Sequence, residues 1–252
     1  MKVNWPVISA AVIPCRNEEA GIAGLVRLVR QHVPLVLVVD DGSDDETAAR
    51  ATDAGAETIR RSGNPGKGAA MKAGIAAALA RQCAWVLTLD GDGQHRPDDI
   101  PIFLRCAEET GAALVVGNRM HHAGAIPWLR RRVNRWMSQR ISKIAGRLLP
   151  DTQCGFRLIN LQAWAALRLA TDHFEIESEM LLAFVEAGYR VEFVPIQAIG
   201  RGGHSHIHPL KDTWRWLLWW KRVRFGQGDS RRAEVKAGEH SACAGARDQN
   251  ML

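Results

Sequence analysis

The feature that most constrains the fold is an apolar run, residues 84–89, that ends abruptly in Asp90 and Asp92. The run has the β-branched and apolar content of a strand that is buried on both faces. The two acids therefore follow the carboxyl end of a strand, which in an open α/β sheet borders the ligand crevice. Oxygen ligands at this spacing suit a divalent cation that also binds a substrate diphosphate. An ordinary acidic turn is the alternative, because Asp and Gly are common turn residues.

Other apolar runs alternate with helical patterns along the chain. Strands are predicted at residues 7–13, 35–39, near 57–59 and at 113–117, with helices between them. The second strand also ends in acids, over residues 40–45, where helix capping by Ser43 or Asp44 is the alternative to ligand binding. This alternation predicts an α/β fold with a Rossmann-like, mostly parallel sheet covered by helices.

A glycine-rich segment, residues 63–70, precedes an alanine-rich helical pattern and contains Lys67. Glycines before a helix can hold phosphate on backbone amides. The segment lacks the spacing of the phosphate-binding loop of nucleoside triphosphatases, so a tight turn between strand and helix is the default interpretation.

The composition predicts one large domain, with or without an appendage: 252 residues, 46% hydrophobic and 24% charged. No run of eighteen apolar residues occurs and the first residues lack a cleavage signature, so we expect neither a membrane span nor a signal peptide. The five cysteines are scattered and lack paired metal-ligand spacing, which indicates reduced thiols in a cytosolic protein.

The net charge of +6 is concentrated in two regions. Residues 119–150 contain eight Lys or Arg and no acid, and a second basic excess follows Gly200. Nucleic acid, an anionic membrane and phosphorylated substrates are all compatible partners. The first region also carries apolar residues at helical spacing: Leu129, Val133, Trp136, Met137, Ile141, Ile144 and Leu148. They predict a cationic amphipathic helix that lies on a membrane or packs on the core.

Six short motifs follow one another, at residues 14–18, 38–43, 66–68, 90–95, 117–119 and 151–157. In this order they resemble the motifs of the family 2 glycosyltransferases, and in particular the dolichyl-phosphate mannose synthases and related polyprenyl-phosphate glycosyltransferases. The resemblance extends from about residue 7 to residue 213. It implies a GT-A fold that binds a nucleoside diphosphate sugar above the sheet, and a last strand at residues 190–196.

The resemblance also implies residue roles. The residues expected to bind the nucleotide sugar are Pro14, Arg16, Glu18, Val39, Asp41, Lys67, Asp90, Gly91, Arg119 and Arg201. Asp90, Asp92 and Gln94 correspond to the metal ligands of the family, with Mg²⁺ or Mn²⁺ as the cofactor. Many relatives have tyrosine at the position of Arg16, whose guanidinium can also stack on a base.

The expected chemistry is direct displacement with inversion at the sugar carbon. The metal and Arg119 would neutralise the charge that develops on the departing nucleotide. An acceptor phosphate needs no catalytic base, whereas an acceptor hydroxyl does. The expected catalytic residues are Asp92, which would act through the metal, and Glu177 and Glu179, either of which could serve as the base. Relatives that use hydroxyls tend to carry Glu-Asp in this segment, so Ser178 at the position of that Asp weakens the hydroxyl alternative. A solvated helix start is the alternative for the two glutamates.

The acceptor side is expected to include one of Arg130, Arg131 and Arg132. We divide the chain into a GT-A domain at 1–200, an acceptor loop with a basic, Trp-rich amphipathic helix at 201–225, and a mobile tail at 226–252. A phosphate-facing loop is preferred to a metal site for His204, His206 and His208.

Together with these patterns, the resemblance implies a metal-dependent hexosyltransferase of the cell envelope, peripheral on the cytoplasmic face of the membrane. The expected partners are a nucleotide sugar, a polyprenyl phosphate or other lipid acceptor, and the membrane surface, with no nucleic acid. Transfer to a hydroxyl of a lipid or glycan is one alternative, and a non-catalytic nucleotide- or membrane-binding module is another. The sugar, base, metal and oligomeric state stay open.

Overall fold

The computed structural model describes residues 3–120, 127–197, 199 and 212–224. The chain divides into two compact units, residues 1–205 and 206–252. In the described part of the first unit, helices and strands alternate in the following order: α1 (Trp5–Ile8), β1 (Ser9–Cys15), α2 (Ile22–Arg30), β2 (Leu35–Asp40), α3 (Thr47–Asp53), β3 (Glu57–Arg60), α4 (Lys67–Ala80), β4 (Trp85–Thr88), a 3-10 turn (Pro97–Asp99), α5 (Ile100–Thr110), β5 (Leu114–Asn118), α6 (Trp128–Ala145), β6 (Arg157–Asn160), α7 (Leu161–Ala165), α8 (Ile176–Glu186) and β7 (Val191–Pro195).

The strands form one seven-stranded sheet in the order β3-β2-β1-β4-β6-β5-β7. All neighbouring strands are parallel except at β6, which runs antiparallel to both β4 and β5. The carboxyl ends of β1, β2, β4 and β5 therefore share one edge. Because β6 is reversed, the loop that precedes it reaches the same edge. The predicted α/β class with a mostly parallel sheet is confirmed.

The core forms because the central strands bury both of their faces. Residues 10–13 of β1 and 37–39 of β2 have no exposed surface. The alanine-rich α4 packs on these strands through Ala70, Ile75 and Ala78, which are also fully buried. Removal of this apolar surface from water is the main favourable contribution to folding.

The start of the first strand was predicted incorrectly. Residues 5–8 form the short α1, and Trp5 packs edge-on against Trp85 with 5.4 Å between ring centroids. The strand begins at Ser9 and continues through Pro14 to Cys15. It tolerates Pro14 because pairing with β4 ends at Val12, so the missing N–H lies beyond that ladder.

The sequence patterns also missed β6 and extended α6 too far. β6 has only four residues, too few for a clear periodicity. α6 ends at Ala145 because Gly146 adopts a left-handed conformation with φ of 64°. Leu148, predicted as part of the apolar stripe, therefore lies outside the helix and is exposed. The buried face of α6 consists of Asn134, Met137, Ser138 and Ile141.

In the second unit, residues 212–224 form the predicted Trp-rich C-terminal helix. Trp216 lies nearly parallel to Trp220, and Arg224 stands over the Trp220 ring at 5.3 Å. The described helices include none that is both long enough and apolar enough to cross a bilayer. Arg201, the three histidines at 204, 206 and 208, and the tail from residue 226 lie outside the described residues.

Candidate active site

The acids that follow β4 lie at the shared sheet edge, as the sequence predicts. Asp90, Asp92 and Gln94 occupy the turn after this strand, where Gln94 N–H donates to Asp92 Oδ1 at 3.1 Å. Gly91, between the two acids, is buried against Cys15 at the end of β1. The side chain of Asp90 is 24% exposed, with its Oδ1 atom buried.

Lys67, the first residue of α4, lies between two carboxylates. Its ammonium is 2.5 Å from Asp90 Oδ1 and forms a second ion pair with Glu177 of α8. Burial opposes the charged form of Lys67, but the two carboxylates outweigh it and raise its pKa. Burial likewise disfavours ionised Asp90, yet Lys67 and His95 hold the pKa of Asp90 well below its usual range. Both groups are therefore charged at neutral pH.

His95 supports Asp90 from inside the protein. Its Nε2 lies 3.3 Å from Asp90 Oδ2, and its ring packs against Phe156 with 5.3 Å between centroids. Phe156 stacks in turn on Phe103. The buried ring therefore limits the orientations that the Asp90 carboxylate can adopt.

The loop 151–156 reaches Asp90 from the other side because β6 is antiparallel. Thr88 Oγ1 donates to the Gly155 carbonyl at 2.8 Å, which brings the loop against β4. A Cβ at Gly155 would lie 2.5 Å from Asp90 Oδ1, so any larger residue at this position would displace the Asp90 carboxylate.

The guanidinium of Arg157 holds this loop to α8. It has no exposed surface and donates to the carbonyls of Cys154 at 2.8 Å, Glu177 at 2.6 Å and Thr152 at 3.1 Å. Burial lowers the pKa of Arg157, while the charge of Glu177 opposes that effect. Arg157 thereby fixes the start of α8, which carries the partner of Lys67.

Arg119 forms a buried bidentate ion pair with Asp151. Its Nε and Nη2 donate to the two carboxylate oxygens at 2.8 and 2.9 Å, and its backbone N–H donates to the same group at 3.2 Å. Burial opposes ionisation of Asp151, but Arg119 and the hydrogen bonds lower its pKa below the usual value. Arg119 thus lies beside the site but is already paired with a carboxylate.

The acids at the end of β2 hold the neighbouring loops. Asp40 accepts hydrogen bonds from Ser43 N–H at 2.9 Å and Arg60 Nε at 3.1 Å. Asp41 pairs with Arg61 and accepts the Gly66 N–H at 2.6 Å, so it joins β2 to the glycine-rich segment. The Ser43 hydroxyl also accepts a hydrogen bond from the Asn17 N–H at 3.0 Å.

The remaining residues predicted to contact the nucleoside differ in accessibility. Pro14 and Glu18 are half-buried and Arg16 is exposed, all at the end of β1. Val39 has no exposed surface and pairs with Pro14 and Ile59 within the sheet. Val39 therefore lies in the core of the sheet, whereas the resemblance implied a contact with the nucleotide sugar.

The two glutamates of α8 occupy different environments. Glu177 is buried and paired with Lys67, so the alternative of a solvated helix start is wrong for it. Glu179 accepts hydrogen bonds from Ala170 N–H and Thr171 N–H, each at 2.9 Å, and from the Thr171 hydroxyl. Glu179 therefore stabilises the turn at residues 170–171, and both of its carboxylate oxygens accept these hydrogen bonds.

The three arginines at the start of α6 also differ. Arg131 and Arg132 are exposed, whereas Arg130 is half-buried. Burial and the charge of Arg119 lower the pKa of Arg130, and the charges of Asp90, Asp92 and Glu177 counteract this shift. Of the three arginines, Arg130 is therefore the one that interacts electrostatically with Asp90, Asp92 and Glu177. Among the described residues, its guanidinium forms no ion pair or hydrogen bond.

The side chains of Asp90, Asp92 and Gln94 offer two carboxylates and an amide oxygen. These are ligands that Mg²⁺ and Mn²⁺ accept, so the residues suit a hard divalent cation. In the described part of the chain, no group of three or more His, Cys, Asp or Glu side chains is arranged to hold a metal. Oxygen atoms of a bound diphosphate and water would complete such a site.

A family model described as "Glycosyl transferase family 2" matches residues 10–167. The chain belongs to this family. It is 32% identical over 204 residues to glycosyltransferase AglJ of Haloferax volcanii, covering 79% of this chain and 66% of the relative. It is 30% identical over 209 residues to the undecaprenyl-phosphate mannosyltransferase of Micrococcus luteus, covering 75% and 83%.

Among solved structures, the fold of this family 2 chain is similar to that of glucosyl-3-phosphoglycerate synthase from Mycobacterium tuberculosis in complex with Mn²⁺ and UDP-glucose. The TM-score is 0.68 at 20% identity, covering 86% of this chain and 79% of the other. This likeness confirms the GT-A fold that the motifs imply.

Several residues that shape the site had no role assigned from the sequence. His95, Asp151 and Arg157 all lie inside the motifs that carried the family resemblance. Their positions in those motifs were the available signal. The contact of His95 with Asp90 is local to one turn, whereas the contacts of Asp151 with Arg119 and of Arg157 with Glu177 depend on the reversed strand β6.

Proposed function

We propose that this chain transfers a hexose from a nucleoside diphosphate sugar to a polyprenyl phosphate at a membrane surface, with inversion at the sugar carbon. The observation that carries the proposal is the half-buried Arg130, which lies in the field of Asp90 and Asp92 without an ion-pair partner among the described residues. An anionic acceptor would supply that partner next to the donor.

On this proposal, residues at the ends of β1, β2 and β4 bind the donor. Pro14, Arg16 and Glu18 line the nucleoside pocket, and Asp41 fixes the segment that carries Lys67. A divalent cation held by Asp90, Asp92 and Gln94 would stabilise the charge of the departing diphosphate.

The acceptor phosphate needs no catalytic base, because its oxygen is already anionic. That oxygen forms the new bond to the sugar carbon while the bond to the diphosphate breaks. Arg130 orients the phosphate, and Arg119, fixed by Asp151, adds positive charge beside the reacting groups. The pairing of Glu177 with Lys67 supports an acceptor that does not require a free carboxylate.

A peripheral position on the cytoplasmic face of the membrane is part of the same proposal. The start of α6 presents Trp128, 67% exposed, and Leu129, 59% exposed, next to the arginines at 130–132. Exposed tryptophan and leucine beside cations are typical of helices that lie in a membrane interface. The name of the Micrococcus relative supports a polyprenyl phosphate as the acceptor. We assign residues 1–200 to catalysis and propose that residues 201–225 also contact the acceptor.

The reaction can be tested with the purified full chain, GDP-mannose or UDP-glucose labelled in the sugar, Mn²⁺ or Mg²⁺, and added polyprenyl phosphate. We expect a labelled product that is extracted into organic solvent and released by mild acid, as a sugar phosphate would be. An extractable product stable to mild acid would indicate transfer to a hydroxyl. No labelled product with any of these donors would contradict the proposal.

A further inference from the structure

Lys67 connects the acids after β4 to α8. Its ammonium lies 2.5 Å from Asp90 Oδ1 and is also paired with Glu177. All three side chains are mostly shielded from water, with exposed fractions of 16% for Lys67, 24% for Asp90 and 5% for Glu177. Asp90 is also the carboxylate proposed above as a metal ligand. That ligand therefore already has a cationic partner.

A divalent cation and this ammonium cannot both stay on Asp90 without strong repulsion. Mg²⁺ binds carboxylate oxygens at about 2.1 Å. With Lys67 Nζ at 2.5 Å from the same carboxylate, the two positive charges would be only a few ångströms apart. Screening by water is weak in a mostly buried cluster, so the repulsion is large. Metal binding therefore requires the ammonium to move away from Asp90.

The backbone around Lys67 is fixed, so its side chain must make this movement. Gly66 N–H donates to Asp41 Oδ2 at 2.6 Å, and Ala69 N–H donates to the Asp172 carbonyl at 3.0 Å. A Cβ at Gly68 would lie 2.8 Å from the backbone carbonyl carbon of Asp172, which shows how tightly this turn is packed. Glu177 can retain the ammonium as it leaves Asp90.

We propose that Lys67 is the resident counter-cation of Asp90 and releases it when a nucleoside diphosphate binds, so that metal and diphosphate bind as a unit. The inference rests on the proposed function. The diphosphate offers Lys67 a new anionic partner, and Asp90 then becomes available to the metal. Lys67 consequently opposes the binding of metal alone and favours the binding of metal with nucleotide.

The test is direct Mn²⁺ binding, followed by the electron paramagnetic resonance signal of unbound Mn²⁺. Wild type and Lys67→Met are titrated first without nucleotide and then with GDP or UDP. Without nucleotide, we expect Lys67→Met to bind Mn²⁺ about tenfold more tightly than wild type, because a like charge has been removed. With nucleotide, the variant should lose most of the increase in affinity that wild type shows. Equal affinity of the two proteins without nucleotide would overturn the inference.

Lys72→Met is the matched control. Lys72 lies on the same helix and pairs with Asp172 at 2.9 Å, away from the acids after β4. We expect no change in Mn²⁺ affinity, and a gain equal to that of Lys67→Met would overturn the inference by indicating a general charge effect. Lys67→Gln, which keeps a polar side chain, repeats the test if Lys67→Met does not fold.

The same titrations distinguish an error in the proposed function from an error in the role of Lys67. Wild type that binds no Mn²⁺ even with GDP or UDP would contradict both the function and the inference. Wild type that binds Mn²⁺ more tightly with nucleotide, together with an unchanged Lys67→Met, would overturn the inference alone.

Discussion

The two sides of the candidate site are built in different ways. We use the name donor side for the ends of β1, β2 and β4 and the start of α4, which we propose to bind the nucleotide sugar. We use the name acceptor side for the loop 151–156 and the starts of α6 and α8, which we propose to face the acceptor. On the donor side, the key acids directly follow parallel strands. On the acceptor side, buried contacts join distant segments, such as Arg119 to Asp151 and Arg157 to Glu177, 32 and 20 residues apart. Charged residues there have a structural role as well as a chemical one.

This comparison predicts that the largest losses of stability come from the acceptor side. Arg157→Met should lower the free energy of unfolding by about 3–5 kcal/mol, because three buried carbonyls lose their donor. Urea denaturation followed by circular dichroism measures the change. Arg190→Met is the control, since Arg190 forms an exposed pair with Glu192 and should contribute less than about 1 kcal/mol. Equal losses of stability for the two substitutions would contradict the structural role of Arg157.

A substitution on the donor side should lower activity and leave the stability of the fold unchanged. Asp92→Ala should reduce transfer by about 10²–10³-fold, because a charge-stabilising group of the reaction is lost. Initial rates at saturating donor measure the loss of activity, and a thermal melt checks that stability is unchanged. Asp98→Ala removes an exposed acid of the same segment and should leave the rate unchanged. Turnover of Asp92→Ala close to that of wild type would exclude a metal role for this acid.

The pair of Arg119 and Asp151 should make the acceptor side sensitive to acid. The folded-state pKa of Asp151 lies below the value in the unfolded chain, so its contribution is complete above about pH 4 and is lost as the pH falls through the folded-state pKa. Asp151→Asn should lower the free energy of unfolding by about 3 kcal/mol at pH 7. The difference from wild type should shrink below about pH 4. A difference that stays constant down to pH 2 would contradict this account.

The smallest effect expected is on acceptor affinity. Arg130→Met should raise KM for polyprenyl phosphate about tenfold and leave KM for the nucleotide sugar unchanged, since one charge-assisted contact is lost. Arg132→Met, at an exposed position of the same helix turn, should change neither value by more than about twofold. A rise in the donor KM of Arg130→Met would instead assign Arg130 to the donor side.

The donor side was largely predictable from the sequence, because the strand and the acids that follow it are adjacent in the chain. The runs at 35–39 and 84–89 became β2 and β4, and their acids lie at one edge. Val39 was the exception, since a motif does not reveal which of its residues faces the core. The acceptor side was less predictable because its contacts depend on β6, a four-residue antiparallel strand. The partners of Arg119 and Arg157 follow from that reversal, which no local pattern encodes.

The acceptor is best identified by comparing two lipids of equal chain length, a polyprenyl phosphate and the corresponding free polyprenol, with the same enzyme, donor and metal. The account predicts transfer to the phosphate and little or none to the alcohol, because the site offers Arg130 for an anion while Glu177 is paired with Lys67. Equal or faster transfer to the alcohol would contradict it and would make Glu177 the catalytic base.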